Sequence, residues 1–81
     1  MYTELLRLPA VRARRGRSRS SHYDDIKQGL FTRPVSIGAR AVAWPASEVE
    51  AINAARIAGK TDGEIRKLVA ELEAARRRVV I

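Results

Sequence analysis

Apolar residues recur at i, i+3, i+4 and i+7 in Ile65, Leu68, Val69 and Leu72, the cleanest periodic run in the chain. That spacing puts one apolar stripe on a helix. Thr61 with Glu64 forms a capping box ahead of it, Asp62 and Glu64 suit the positive end of the helix dipole, and Arg76, Arg77 and Arg78 suit the negative end. A helix over residues 62–78 is predicted. Before it, Val49, Ile52 and Ala55 make a second stripe. Pro45 and a further capping box, Ser47 with Glu50, open that helix, and Gly59 stops it. Residues 31–44 carry a different pattern. Pro34 forbids a helix, Val35-Ser36-Ile37 alternates, Gly38-Ala39 suits a tight turn, and residues 40–44 return as a second strand. A lone hairpin is marginal, so Val35, Ile37, Val42 and Trp44 are expected to pack it on the helices. Nearer the N-terminus, Pro9 suits the first helical position, and Leu6, Ala10, Val11 and Ala13 give a weak apolar face. Gly16 ends that helix in the left-handed conformation. Ser18 then caps a second helix over residues 19–28, with Tyr23, Ile26 and Leu30 as its apolar side and Gly29 closing it. A short helix, a tight turn and a second helix are the outline of a helix-turn-helix. There is no internal repeat.

Composition narrows the chemistry. Eighty-one residues make one small domain, whose folding buries roughly 60–65% of the unfolded surface. The absence of Cys excludes a disulfide scaffold, a thiolate zinc site and a cysteine nucleophile, and the single His, His22, cannot build a His-based metal site. No apolar run approaches the roughly 20 residues of a membrane span, and residues 1–7 lack the apolar stretch of a signal peptide, so no membrane partner and a cytoplasmic, nucleoid location are expected. The net charge is +7, with 13 Arg against three Lys, which points to a polyanion. Position sharpens this. Residues 1–40 hold nine cations and three acids, whereas residues 41–81 hold seven and six. Five arginines fall within residues 12–19, followed by Ser20 and Ser21. On composition alone that stretch reads as a disordered Arg/Ser arm. The Pro, Gly and Ser punctuation around it favours the two helices. Four aromatics (Tyr2, Tyr23, Phe31 and Trp44) supply no stacking platform for single strands or RNA.

An ordered set of residues carries a resemblance. Leu5-Leu6-Arg7-Leu8-Pro9, Gly16-Arg17-Ser18-Arg19-Ser20, Tyr23, Ile26-Lys27 and Gly29 are followed by Phe31, Pro34-Val35-Ser36-Ile37-Gly38, Arg40-Ala41-Val42, Trp44 and Ser47-Glu48-Val49-Glu50-Ala51. This set, over residues 5–57, resembles the AlpA-type phage regulators, relatives of excisionases and of the DNA-binding domain of MerR-like proteins. The resemblance implies a mainly α fold with a small β-hairpin: a winged helix-turn-helix, here with an added C-terminal helix. It implies that the second helix enters a major groove and that the hairpin wing reaches backbone or minor groove. Family members regulate transcription of mobile elements or, as excisionases, set the direction of a recombinase. This chain departs from the pattern in placing Arg12 and Arg17 where the family usually has apolar residues, Asp24-Asp25 where it is often basic or apolar, and Ile52 for a common Trp. The departures thin the packing of the first helix and put acid on the recognition helix.

The candidate DNA-reading residues are Ser18, Arg19, Ser20, Ser21, Tyr23 and Lys27 on the second helix. The N-terminal end of a recognition helix reaches base edges, Arg pairs bidentately with guanine, and Ser hydroxyls and free helix N–H groups donate to phosphate. The bland alternative is a solvated face. Arg12, Arg14, Arg15 and Arg17 are expected to grip backbone, with a merely soluble surface as the alternative. Arg33 and Arg40 are assigned to the wing, against the alternative of cations guarding a strand edge. Adjacent Asp24 and Asp25 diverge on a helix, so they do not form an acid–base or metal pair. They are read as rejecting wrong bases, accepting from cytosine, or pairing with a neighbouring protomer. His22 is read as an ordinary helix residue or a phosphate donor. No catalytic residue, metal site or cofactor is identified, and no enzyme is expected.

The expected organisation is a DNA-binding domain over residues 1–58, a C-terminal helix over 59–78 that packs on its own core or on another subunit, and an apolar tail, Val79-Val80-Ile81, that docks on a neighbour or is a frayed end. The expected function is that of a duplex DNA-binding excisionase or transcription regulator of a mobile element. It would self-associate on adjacent sites and act with a site-specific recombinase or RNA polymerase. The alternative is a protein-interaction module that uses its last helix on an acidic partner.

Overall fold

A computed structural model of the chain describes residues 4–78. The elements run β1 (Leu5–Leu6), α1 (Leu8–Arg15), α2 (Arg19–Lys27), β2 (Val35–Gly38), β3 (Ala41–Pro45), α3 (Ala46–Ile57), α4 (Asp62–Ala75) and a 3-10 turn, Arg76–Arg78. Four helices surround a small antiparallel sheet of order β1-β3-β2, the arrangement of a winged helix-turn-helix. The Val79-Val80-Ile81 tail lies outside the described residues.

The punctuation residues act as expected at most helix ends. Pro9 lies in the first turn of α1, and Gly16, at φ 66°, ends it by donating to the Arg12 carbonyl at 2.8 Å. Ser18 caps α2, its hydroxyl accepting from the Ser21 N–H at 3.2 Å. Gly29, at φ 79°, turns the chain out of α2. Thr61 and Glu64 make both bonds of their capping box, at 2.9 and 3.2 Å. The second expected box is not formed. Strand β3 runs directly into α3, so the helix begins at Ala46 with Pro45 as its N-cap and no side-chain cap bond. The Ala46 N–H instead donates to the Glu4 carbonyl at 2.7 Å.

That bond belongs to a strand the sequence does not announce. Leu5 and Leu6 pair with Pro45 and Trp44, so Leu6 enters the core from a sheet rather than from the face of the first helix. The hairpin also differs by one step. Val35 faces Ala43 and Ser36 faces Val42, but Gly38 faces Ala41, so Ile37 is an extra residue in β2. A bulge of this kind re-aims its side chain, and Ile37 is left exposed instead of packed on the helices. The turn is therefore Ala39-Arg40, not Gly38-Ala39, and Arg40 takes the left-handed conformation at φ 62°.

The core gathers Leu6, Val11, Leu30, Phe31, Trp44, Val49, Ile52, Ile65 and Val69. Trp44 is fully buried, and its indole N–H donates to the Thr32 carbonyl at 2.9 Å. Fully burying each large apolar side chain contributes roughly 1.5–3 kcal/mol. Ile65 and Val69 place the stripe of α4 in this same cluster, with Leu68 and Leu72 packed against it.

Candidate nucleic-acid interface

Burial divides α2 into two faces. His22 and Asp25 point inward with Ile26 beside them, whereas Arg19, Ser20, Tyr23, Asp24 and Lys27 are exposed. A helix turns 100° per residue, so Asp25 lies almost opposite the Ser20–Tyr23–Lys27 side. The exposed face is the one a groove could receive.

The inward face contains a charged cluster. Asp25 accepts from Arg15 Nη2 at 2.8 Å and from Arg17 Nε and Nη2 at 3.1 and 2.9 Å. The Arg15 guanidinium also stacks 4.0 Å from the centre of the Phe31 ring. Burial pulls the Arg15 group down from its ordinary value, and the bond to Asp25 opposes that shift. Arg15 Nη1 lies 2.7 Å from His22 Nδ1. Arginine only donates, so Nδ1 accepts and the ring proton sits on Nε2. The His22 ring packs edge-on against Trp44 and Phe31, with centroids 4.9 and 5.1 Å away. Burial, then the charge of Arg15, lowers its pKa from 6.5 to about 4. His22 is thus a neutral core residue, not a phosphate donor. Asp25 is an internal counter-ion, turned away from the exposed face of α2. Arg15 and Arg17, expected to point at backbone phosphate, are turned to Asp25; the Arg15 side chain is 5% exposed and that of Arg17 43%.

The other expected residues separate by partner. Ser18 is the N-cap, and its hydroxyl donates to Ser21 Oγ at 3.0 Å, so both are occupied in starting α2. Arg19 lies 5.7 Å from the centre of the Tyr23 ring on the exposed face. Asp24, also exposed, accepts from Gln28 Nε2 at 2.6 Å. Arg12 is half-buried, with a long 3.5 Å contact from Nε to the Arg17 carbonyl. Arg40 stands at the hairpin tip. Arg33 stands just before β2, as expected, and its side chain, 77% exposed, reaches Glu73 at 3.3 Å. Among the described residues, the side chains of Arg7, Arg14, Arg19, Lys27, Arg40, Lys60, Lys67 and Arg77 have no hydrogen-bond or ion-pair partner, whereas Arg15, Arg17, Arg33, Arg56, Arg66 and Arg76 all do.

An open groove of about 630 Å³ runs past Arg14, Arg17, Asn53 and Ile57, with Asp25 in its lining. It therefore lies behind α2 relative to the exposed face. Among the described residues there is no cluster of His, Cys, Asp or Glu that could hold a metal, and no helix is long and apolar enough to cross a membrane.

Residues 4–57 match the family described as Prophage CP4-57 regulatory protein (AlpA). The chain belongs to the AlpA family of phage regulatory proteins. It is also 48% identical over 58 residues to an uncharacterized protein, ORF88, of Enterobacteria phage P4, an alignment that covers 72% of this chain and 66% of that one. No solved structure matches. The family span takes in β1, both helices of the helix-turn-helix, the hairpin and α3, and leaves α4 outside it.

The inward cluster was open to discovery from sequence. His22, Ile26 and Leu30 recur every four residues, and Asp25 falls one step before Ile26. Taking the buried face from Ile26 and Leu30, rather than from Tyr23, turns His22 and Asp25 inward.

Proposed function

We propose that the protein binds duplex DNA as a regulator of a phage-type mobile element. The exposed face of α2 enters the major groove, with Arg19 and Ser20 at base edges and Tyr23 and Lys27 along the groove wall. Arg12 and Arg14 lie on phosphates. Arg40 takes the wing tip to the minor groove or the adjacent backbone. The observation that carries this reading is the exposed face of α2, where Arg19, Ser20, Tyr23 and Lys27 stand opposite the buried Asp25 cluster. Arg15 and Arg17 are paired with Asp25, whereas Arg14, Lys27 and Arg40 remain without an acidic partner on this part of the molecule.

One recognition helix makes few base contacts, so several copies on adjacent sites supply the affinity of a working site. The family's phage setting supports two roles: an excisionase that steers a recombinase, or a transcription regulator acting on polymerase. Residues 1–58 form the DNA-binding unit in either case. The competing idea, an interaction module working through α4, is disfavoured because the apolar stripe of that helix is spent on its own core.

The test is a fluorescence-anisotropy titration of a mixed-sequence duplex against salt. Binding at low salt should weaken with a log–log slope of about −0.9 for each phosphate neutralised. No binding at low salt removes the proposal.

A further inference from the structure

The peptide unit that leads into the hairpin is held by side chains at both of its ends. The Thr32 carbonyl accepts from the Trp44 indole at 2.9 Å, and the Arg33 N–H donates to Glu73 Oε2 at 2.8 Å. The next carbonyl, that of Arg33, accepts from Arg76 Nη2 at 2.7 Å. Glu73 and Arg76 come from the end of α4 and the turn after it, 40 and 43 residues along the chain. Arg76 is itself fixed, because its Nε and Nη2 grip the buried carboxylate of Glu48 at 2.7 and 2.6 Å.

The location gives these bonds a consequence. Strand β3 is held on two sides by β1 and β2 and continues directly into α3. Strand β2 is an edge, paired on one side with β3 and joined along the chain to the body through residues 32–34. Pro34 has no N–H to offer, so anchorage falls on the residue before it. We infer that Glu73 and Arg76 are positioning residues for the wing: the C-terminal helix, which lies outside the family span, sets where the hairpin leaves the body. This rests on the reading of the hairpin as a DNA-contacting wing. The ion pair of Arg33 with Glu73 is not the agent, because the Arg33 side chain is 77% exposed and such surface pairs contribute little. The agent is acceptance of the Arg33 backbone N–H, with Arg76 holding the carbonyl.

The experiment compares the full chain with Glu73→Ala and Glu73→Gln. Glu73 lies half-buried in the last turn of α4, outside the apolar core, and Ala and Gln are both good helix formers, so each variant should keep its fold. Gln retains an oxygen for the Arg33 N–H and Ala does not. In the free protein, Glu73→Ala should speed amide exchange at Arg33 up to about tenfold and lower backbone order over residues 35–41, with Glu73→Gln close to wild type. Binding to a mixed-sequence duplex should weaken roughly three- to tenfold in Glu73→Ala alone. Unchanged exchange at Arg33 in Glu73→Ala, or an equal change in both variants, overturns the backbone anchor. A loosened hairpin with unaltered duplex affinity overturns the positioning role. If the wild-type chain binds no duplex, the DNA reading falls, while the exchange comparison still decides the anchor.

Discussion

Arg15 and Asp25 meet at 2.8 Å with side chains only 5% and 7% exposed, and their contact fixes α1 against α2. The same carboxylate holds Arg17 through two bonds. Asp25→Ala therefore leaves a buried guanidinium without its counter-ion, which costs about 3–5 kcal/mol. That is a large part of the roughly 5–15 kcal/mol that holds a small domain folded. Arg17→Ala should cost about 1 kcal/mol or less, because Arg17 is 43% exposed and Arg15 still neutralises Asp25. Urea denaturation of the two variants checks the order, and equal losses would contradict it.

His22 makes stability depend on pH in a defined window. Its folded pKa is about 4, against 6.5 in the unfolded chain. Between those values the unfolded state holds more protons, so stability rises with pH. The contribution is complete above 6.5 and is lost as pH falls to about 4. Its upper size is about 3 kcal/mol. The charged groups around the ring are Arg12 and Arg15 from α1, Arg17 from the turn, and Asp25 beside it on α2. His22→Gln keeps an acceptor for Arg15 but cannot titrate. Its urea midpoints should lose most of the slope that wild type shows across this window, and a slope equal to wild type would assign the dependence elsewhere.

The frame of the fold was legible because it is written in local chemistry. Pro9, Gly16, Ser18, Gly29 and the Thr61–Glu64 box each satisfy or end a helix through nearby backbone groups, and α4 shows its period openly. What escaped depends on residues far apart in the chain. Leu5–Leu6 is too short to show a strand period and is defined by its pairing with β3. The Ser47–Glu50 box was a sound local signal, overridden because β3 passes into α3 without a loop. The charged residues were harder still. Read separately, Arg17 suggests a thinner packing of the first helix and Asp25 suggests acid on the recognition helix. Together they form a bidentate pair that is visible only once α1 and α2 are brought together.

Arg40 should show stability and binding moving in opposite directions. A side chain at φ 62° is strained, and Gly relieves that strain. Arg40→Gly should raise stability by about 0.5–1 kcal/mol after the added freedom of Gly in the unfolded chain is counted. It also removes the cation at the wing tip, so duplex affinity should fall and the salt slope should shrink by about one phosphate. Thermal melts and salt-dependent titrations on the same protein check both halves. A variant that is more stable and binds as before would remove Arg40 from the interface.

Arg19 and Arg14 differ in what an outside anion would read. Arg19 is the first residue of α2, on the exposed face, and under the proposed docking it would reach base edges in a major groove. Arg14 is near the end of α1, where its carbonyl accepts from Asn53 Nδ2 at 3.0 Å, and its exposed side chain is placed for phosphate. Loss of a bidentate guanine contact costs about 1–3 kcal/mol for the preferred sequence and almost nothing for others. Loss of a phosphate contact weakens all sequences alike. Selection of bound duplexes from a random pool, repeated with each variant, separates the two effects. Arg19→Ala should flatten the preference at one base position, and Arg14→Ala should preserve the preference while lowering affinity throughout. If Arg14→Ala changes the selected sequence while Arg19→Ala does not, α2 is not the reading element, and the helix-turn-helix sits on DNA in another orientation.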